Sequence, residues 1–218
     1  MTVGKVGKGK GSNDTTALGK PAGIVVDPGT NEAFIADGYT NRRVIVFDAT
    51  TGAYKRHWGA YGKPPDDSVK ERGCVAGGPP PTQFNTPHAV RLSRDGLLYV
   101  SDRGNCRIQV FKTDGTYVNE VFVGLSPQGS AFDVAFSPDR DQRFLYSLDG
   151  RNKKVWILRR SDLRVLGSFG CPGHFGGCFY VPHNMAVDTK GNIYVADVQE
   201  AKRVQRFLYK GLGPAETR

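Results

Sequence analysis

The chain repeats itself four times, and no other feature of the sequence restricts its folding as strongly. Each unit begins with a short apolar segment and reaches a second segment that closes on aspartate. The units run from Pro21 to Asp37, Pro87 to Asp102, Ala131 to Asp149 and Pro182 to Asp197. Their closing aspartates lie 65, 47 and 48 residues apart. The first interval is long because it holds a Gly- and Pro-rich stretch from Gly59 to Phe84. Without that stretch the period is about 40–48 residues, the range of propeller blades. After each aspartate come a turn and an Arg- or Lys-led strand, at Arg43–Phe47, Arg107–Phe111, Lys154–Leu158 and Arg203–Phe207. A further turn, such as Thr113-Asp114-Gly115, leads into a fourth strand. Four short antiparallel strands make one blade. A lone blade cannot bury both faces, so neighbours must stack. The expectation is an all-β propeller of four four-stranded blades. They fall near 20–60, 85–125, 130–170 and 180–210, with a long loop at 59–84, in a single domain over 1–218.

Composition agrees with this. The chain has 28 glycines and 13 prolines but only 2 methionines, which suits tight turns and excludes a helical bundle. Hydrophobic residues at 39% can supply a core. No apolar run approaches the ~18 residues of a membrane span. The net charge of +9 favours anionic partners in general. However, the basic residues are scattered, apart from Lys5, Lys8 and Lys10 among glycines, which read as a solvated loop. No aromatic platform for stacking bases stands out, so nucleic acid is not an expected partner. The start of the chain shows no apolar secretory core. An exported or periplasmic location is therefore expected only if a signal lies upstream of Met1.

Three stretches carry a narrower signal. The first is Asp37-Gly38-Tyr39-Thr40-Asn41-Arg42-Arg43, followed by His57-Trp58-Gly59. The second is Asn85-Thr86-Pro87-His88, leading to Asp102-Arg103-Gly104-Asn105. The third is Val181-Pro182-His183-Asn184, leading to Val195-Ala196-Asp197. The repeat resembles the NHL family of propellers, usually six-bladed, over about residues 12–209. The ordered set of three stretches is similar to the peptidyl-α-hydroxyglycine α-amidating lyases, NHL enzymes that split a hydroxyglycine-extended peptide into peptide amide and glyoxylate. The resemblance implies a small peptide or carbinolamide-like substrate and a zinc cofactor. It also implies that the four blades are part of a six-blade ring. A third histidine and a further arginine are then expected upstream of Met1, and this chain alone is expected to bind zinc weakly and to be inactive. Open blade faces would favour self-association.

His88 and His183 hold equivalent places in alternate blades, where the other two units have Ala22 and Phe132. Three such histidines would converge on the axis and leave a fourth position open, as in catalytic zinc sites. By the resemblance, His88 and His183 bind the metal. Tyr39 takes the proton of the substrate hydroxyl, and Arg103 clamps the substrate carboxylate. Without a metal, Pro-His at a strand start merely caps a hydrogen-bond network, Tyr39 packs a turn and Arg103 is a solvated loop residue. Arg43 recurs in every unit as Arg or Lys and reads as scaffold; His57 reads as structural. Some positions depart from the lyases. Asn184 replaces an aspartate associated with calcium and is a weak ligand for a second cation, which argues against calcium. Val181 replaces a methionine, and Thr40 and Tyr99 stand at half-cystine positions. The alternative to the lyase is a non-catalytic NHL propeller that binds protein or RNA on its top face.

Four cysteines are too few for a disulfide scaffold of this length. Cys171 and Cys178 flank a Gly-rich loop, where a disulfide, a metal knuckle with His174 and free thiols are all open alternatives. Cys74 and Cys106 show no evident partner.

Overall fold

In the computed structural model of the protein, which describes residues 9–70, 73–74 and 77–213, fifteen strands form four antiparallel sheets in chain order. Blade one is β1 (Gly23–Asp27), β2 (Glu32–Asp37), β3 (Arg43–Asp48) and β4 (Tyr54–Trp58). Blade two is β5 (Pro87–Leu92), β6 (Leu97–Asp102), β7 (Arg107–Lys112) and β8 (Tyr117–Phe122). Blade three is β9 (Ala131–Phe136), β10 (Phe144–Asp149), β11 (Lys154–Arg159) and β12 (Val165–Phe169). Blade four is β13 (Pro182–Val187), β14 (Ile193–Asp197) and β15 (Arg203–Phe207). The fold is an all-β propeller. Its helical content among the described residues is two short 3-10 turns, Ala60–Gly62 and Arg103–Asn105.

Blade four departs from the four-strand expectation, because its sheet holds three strands among the described residues. One backbone angle after its third strand matches that of blade two. Gly211 takes φ +96° where Gly115 of blade two takes +95°, a left-handed conformation that suits glycine. No fourth strand follows among the described residues.

Alternation within each strand explains the packing. Side chains of successive residues point to opposite sheet faces, so each blade offers one apolar face to each neighbour. Phe34, Val44, Val46 and Trp58 of blade one meet Phe84, Val90, Val100 and Phe111 at blade two. Ile108 and Val110 of blade two meet Val134, Leu145 and Leu158 of blade three. Leu148 and Val155 of blade three meet Met185, Ile193 and Val195 of blade four. The two ends are different. On the outer face of blade one, Ile24 and Val26 are 57% and 48% exposed, and Val204 on blade four is 67% exposed. The blades form an arc with open ends.

The repeated aspartate acts as a clasp. In blade two, Asp102 Oδ1 accepts the Asn85 backbone N–H at 2.7 Å, and Oδ2 accepts from Asn105 Nδ2 and Arg107 Nε, each at 2.7 Å. Arg107 then reaches on to the carbonyls of Pro81 and Gln83. Blade one repeats this with Asp37, Asn41 and Arg43, whose guanidinium donates to Ser12, Asp14 and Ala17 carbonyls. Each clasp ties the incoming connection to the blade it enters. Blade three has Lys154 in the arginine's place, and Trp156 Nε1 donates to Asp149 instead.

Both cysteine pairs are disulfide-bonded, Cys171 to Cys178 and Cys74 to Cys106. The second pair corrects the expectation that Cys74 and Cys106 lack partners. The long loop folds back over the top of blade two and brings Cys74 to the turn between β6 and β7, with Cα atoms 5.6 Å apart. No helix among the described residues is long and apolar enough to cross a membrane.

Candidate functional site at the mouth of the arc

The start of each inner strand aims a side chain at the mouth. The β5–β6 ladder pairs Pro87 with Asp102 and Ala89 with Ser101, so His88 is skipped. The β13–β14 ladder likewise skips His183, between Pro182 and Asn184. In blade three, Ala131 pairs with Asp149 and Asp133 with Leu148, and Phe132 is skipped. These are β-bulges. A bulge releases one residue from the ladder and re-aims its side chain.

The three bulged residues meet. The His88 and His183 ring centroids lie 4.8 Å apart, edge to face, and Phe132 is 5.6 Å from each. Tyr39 arrives from the turn after β2. Gly38 permits this, because a Cβ at that position would overlap the Pro87 carbonyl. The turn therefore lies directly on the start of β5, and Tyr39 Oη sits 2.9 Å from His88 Nε2. Arg103, in the turn after β6, stacks its guanidinium 4.0 Å over the Phe132 ring and lines the same hollow as Tyr39. Beside this cluster a hollow of about 340 Å³ is lined by Tyr39, Asn85, Thr86, Arg103 and Gln128.

Hydrogen bonding places a proton on Nδ1 of both imidazoles. The Phe132 carbonyl can only accept, so His88 Nδ1, 2.7 Å away, carries the proton. His88 Nε2 then holds a lone pair, which accepts from Tyr39. His183 Nδ1 donates to Asn184 Oδ1 at 2.9 Å, which frees its Nε2 in the same way. An Nδ1–H bonded to a carbonyl oxygen is the usual support of a metal-ligating histidine. Burial pushes the His88 imidazole down to about 4. Nearby His183, Arg103 and Arg91 add to that effect, and the Phe132 carbonyl opposes it. His88 is thus neutral near neutral pH, as a ligand must be.

The described residues supply two such nitrogens. No group of three or more His, Cys, Asp or Glu side chains among them could hold a metal ion. The pair fits part of a zinc ligand set and falls short of the three protein ligands of a catalytic site. Asn184 is exposed and engaged with His183.

The remaining candidates lie elsewhere. Arg43 is fully buried in its clasp. Arg42 donates to the Val69 carbonyl at 2.6 Å. His57 lies on the outer strand of blade one between Tyr54 and Asn13. Sequence reasoning had treated Phe132 only as a place without histidine, although its equivalence to His88 and His183 was the signal that puts it at the mouth.

The NHL repeat family matches residues 84–111 and 179–207, the segments that carry His88 and His183. The chain carries NHL repeats. Over 200 residues, 86% of its length, this NHL propeller is 30% identical to peptidyl-glycine alpha-amidating monooxygenase B of Xenopus laevis, covering 20% of that protein. It is 25% identical to peptidyl-alpha-hydroxyglycine alpha-amidating lyase 2 of Drosophila melanogaster, over 95% of this chain and 47% of that protein. Among solved structures, a streptogramin B lyase superposes with a TM-score of 0.59 at 8% identity. That match covers 88% of this chain and 56% of the lyase, and at such identity it speaks for the fold alone. The chain thus spans about a fifth of the monooxygenase it matches.

Proposed function

We propose that this propeller carries the substrate face of a metal-dependent lyase that splits peptidyl-α-hydroxyglycine into a peptide amide and glyoxylate. The observation that carries the proposal is the single cluster of His88, His183, Tyr39 and Arg103, in which the partners of Nδ1 turn Nε2 of each imidazole toward the mouth and Tyr39 occupies that of His88. The amidating names of two relatives support the choice of reaction.

His88 Nε2 and His183 Nε2 would hold a zinc ion, with a third ligand from outside the described residues. When bound, zinc polarises an oxygen of the substrate. The chain's own groups do the rest. Arg103, stacked on Phe132, offers a guanidinium fork to the substrate carboxylate. Tyr39 Oη takes the proton of the carbinol hydroxyl, and the adjacent Arg103 stabilises the phenolate. The O–H electrons form the new C=O bond, and the C–N bond breaks. Its electron pair stays on the amide nitrogen, which takes the proton back from Tyr39 Oη and restores the phenolate, so peptide amide and glyoxylate leave together in balance.

The test is glyoxylate release from a hydroxyglycine-extended peptide with Zn²⁺, in the absence and presence of millimolar imidazole as a stand-in for the third nitrogen. Two ligands leave the metal under-coordinated, so the chain alone is expected to be inactive and imidazole to restore turnover. Tyr39→Phe is expected to remove at least 10²-fold of that turnover, the scale of a lost general base. Zn²⁺ that binds equally well to His88→Ala and His183→Ala would overturn the assignment of the ligands.

A further inference from the structure

Below the mouth, the channel side of the arc holds an ion pair that the proposed reaction does not use, with its carboxylate buried and its guanidinium 31% exposed. Asp133, on β9, is fully buried. Its carboxylate accepts from three places. Arg91 of β5 approaches Oδ1 at 2.8 Å and Oδ2 at 2.9 Å. The backbone N–H of Met185, on β13, donates to Oδ2 at 3.0 Å, and that of Val134 to Oδ1 at 2.8 Å. One side chain thus joins the inner strands of blades two, three and four. Arg91 stands three residues after His88, and Met185 two residues after His183. Asp133 itself follows Phe132, whose carbonyl holds His88 Nδ1.

Stability is a poor reason for such a group. Burying a carboxylate costs about as much as its attraction to a part-exposed guanidinium returns, and uncharged replacements often do as well. The repeat offers such replacements at the position of Asp133. The other units carry Gly23, Ala89 and Asn184 there, and none is charged. The ion pair occurs only in the blade between the two histidines. The geometry points to Asp133 as a positioning residue that sets the separation of His88 and His183 through Arg91 and the Met185 amide. This rests on the reading of the two imidazoles as a ligand pair.

The experiment uses the 218-residue chain with Asp133→Asn, which keeps the shape and one acceptor but releases Arg91. Arg91→Met serves as a second variant. Two quantities are measured. The first is the nuclear Overhauser contact between the His88 and His183 rings in metal-free protein. The second is Co²⁺ affinity, read from its visible absorption bands. The expected result is loss of the ring contact and at least a tenfold drop in Co²⁺ affinity, the scale seen for outer partners of metal ligands. Ile108→Val, which loosens the core without touching the strut, should leave Co²⁺ affinity within twofold. An intact ring contact and unchanged affinity in both strut variants would overturn the inference. Should His88→Ala leave Co²⁺ binding untouched, the ligand reading fails on its own. The ring contact alone then decides the role of Asp133.

Discussion

Blades two and four are written on the same plan and differ in what surrounds them. Both open with Pro-His, close their second strand on aspartate and begin their third with arginine. Blade two has a neighbour on each side. Its clasp residues Asp102 and Arg107 are both fully buried, and His88 is 2% exposed. Blade four has a neighbour on one side. Its clasp arginine, Arg203, is 26% exposed, its bonds to Asp197 lengthen to 3.2–3.3 Å, and His183 is half-buried. The same aspartate and arginine therefore give a dry clasp in blade two, where Asn105 joins them, and a looser one in blade four, where Ala201 stands in place of the asparagine. A repeat motif specifies which groups meet, while the neighbouring blade decides how strongly they are held.

The clasps should show this most plainly. Arg107→Met strands the Asp102 carboxylate in the core, at a cost of about 3–5 kcal/mol. Arg203→Met should cost less, because Arg203 is part-exposed and the buried Asp197 keeps the Tyr180 and Val181 backbone donors. Urea unfolding of the two variants measures the gap, and equal losses would break the comparison.

The interblade faces come next. Ile108 and Val204 follow the clasp arginine in blades two and four, and Ile108 is fully buried. Ile108→Ala should cost about 2–5 kcal/mol. Val204→Ala should stay within about 0.5 kcal/mol. A large loss at Val204 in thermal unfolding would mean that blade four is covered in solution, and its concentration dependence would tell whether a second copy covers it.

The disulfides should differ least. Cys74–Cys106 spans 32 residues and Cys171–Cys178 spans 7. On chain entropy alone, their removal by paired Cys→Ser substitution should cost about 3.7 and about 2.4 kcal/mol respectively. Denaturant midpoints of the two double variants give the difference directly.

Much of this architecture could be read from the sequence, for one physical reason. Strand period, turn glycines and clasp residues recur together, so each unit corroborates the others. The places of His88, His183, Tyr39 and Arg103 were legible because each lies at a fixed offset from a closing aspartate or a strand start. What lay outside the period was not legible. Cys74 sits in the long loop, where no repeat offset locates it, so its bond to Cys106 was invisible. Phe132 counts in the sequence only as a repeat position without histidine, because a phenyl ring is no metal ligand. The three strands that blade four shows among the described residues also differ from the repeat, although Gly211 shares the left-handed φ of Gly115.

The bulges at His88, Phe132 and His183 have a wider consequence. A residue inside a ladder must satisfy its cross-strand partner and the face it packs on. A bulged residue is excused from both. The head of each inner strand is therefore a socket, in which imidazole and phenyl groups are exchanged while the sheet below keeps its register. Such a scaffold can change its chemistry one substitution at a time, by swapping what is seated in the sockets, and leave its folding instructions untouched.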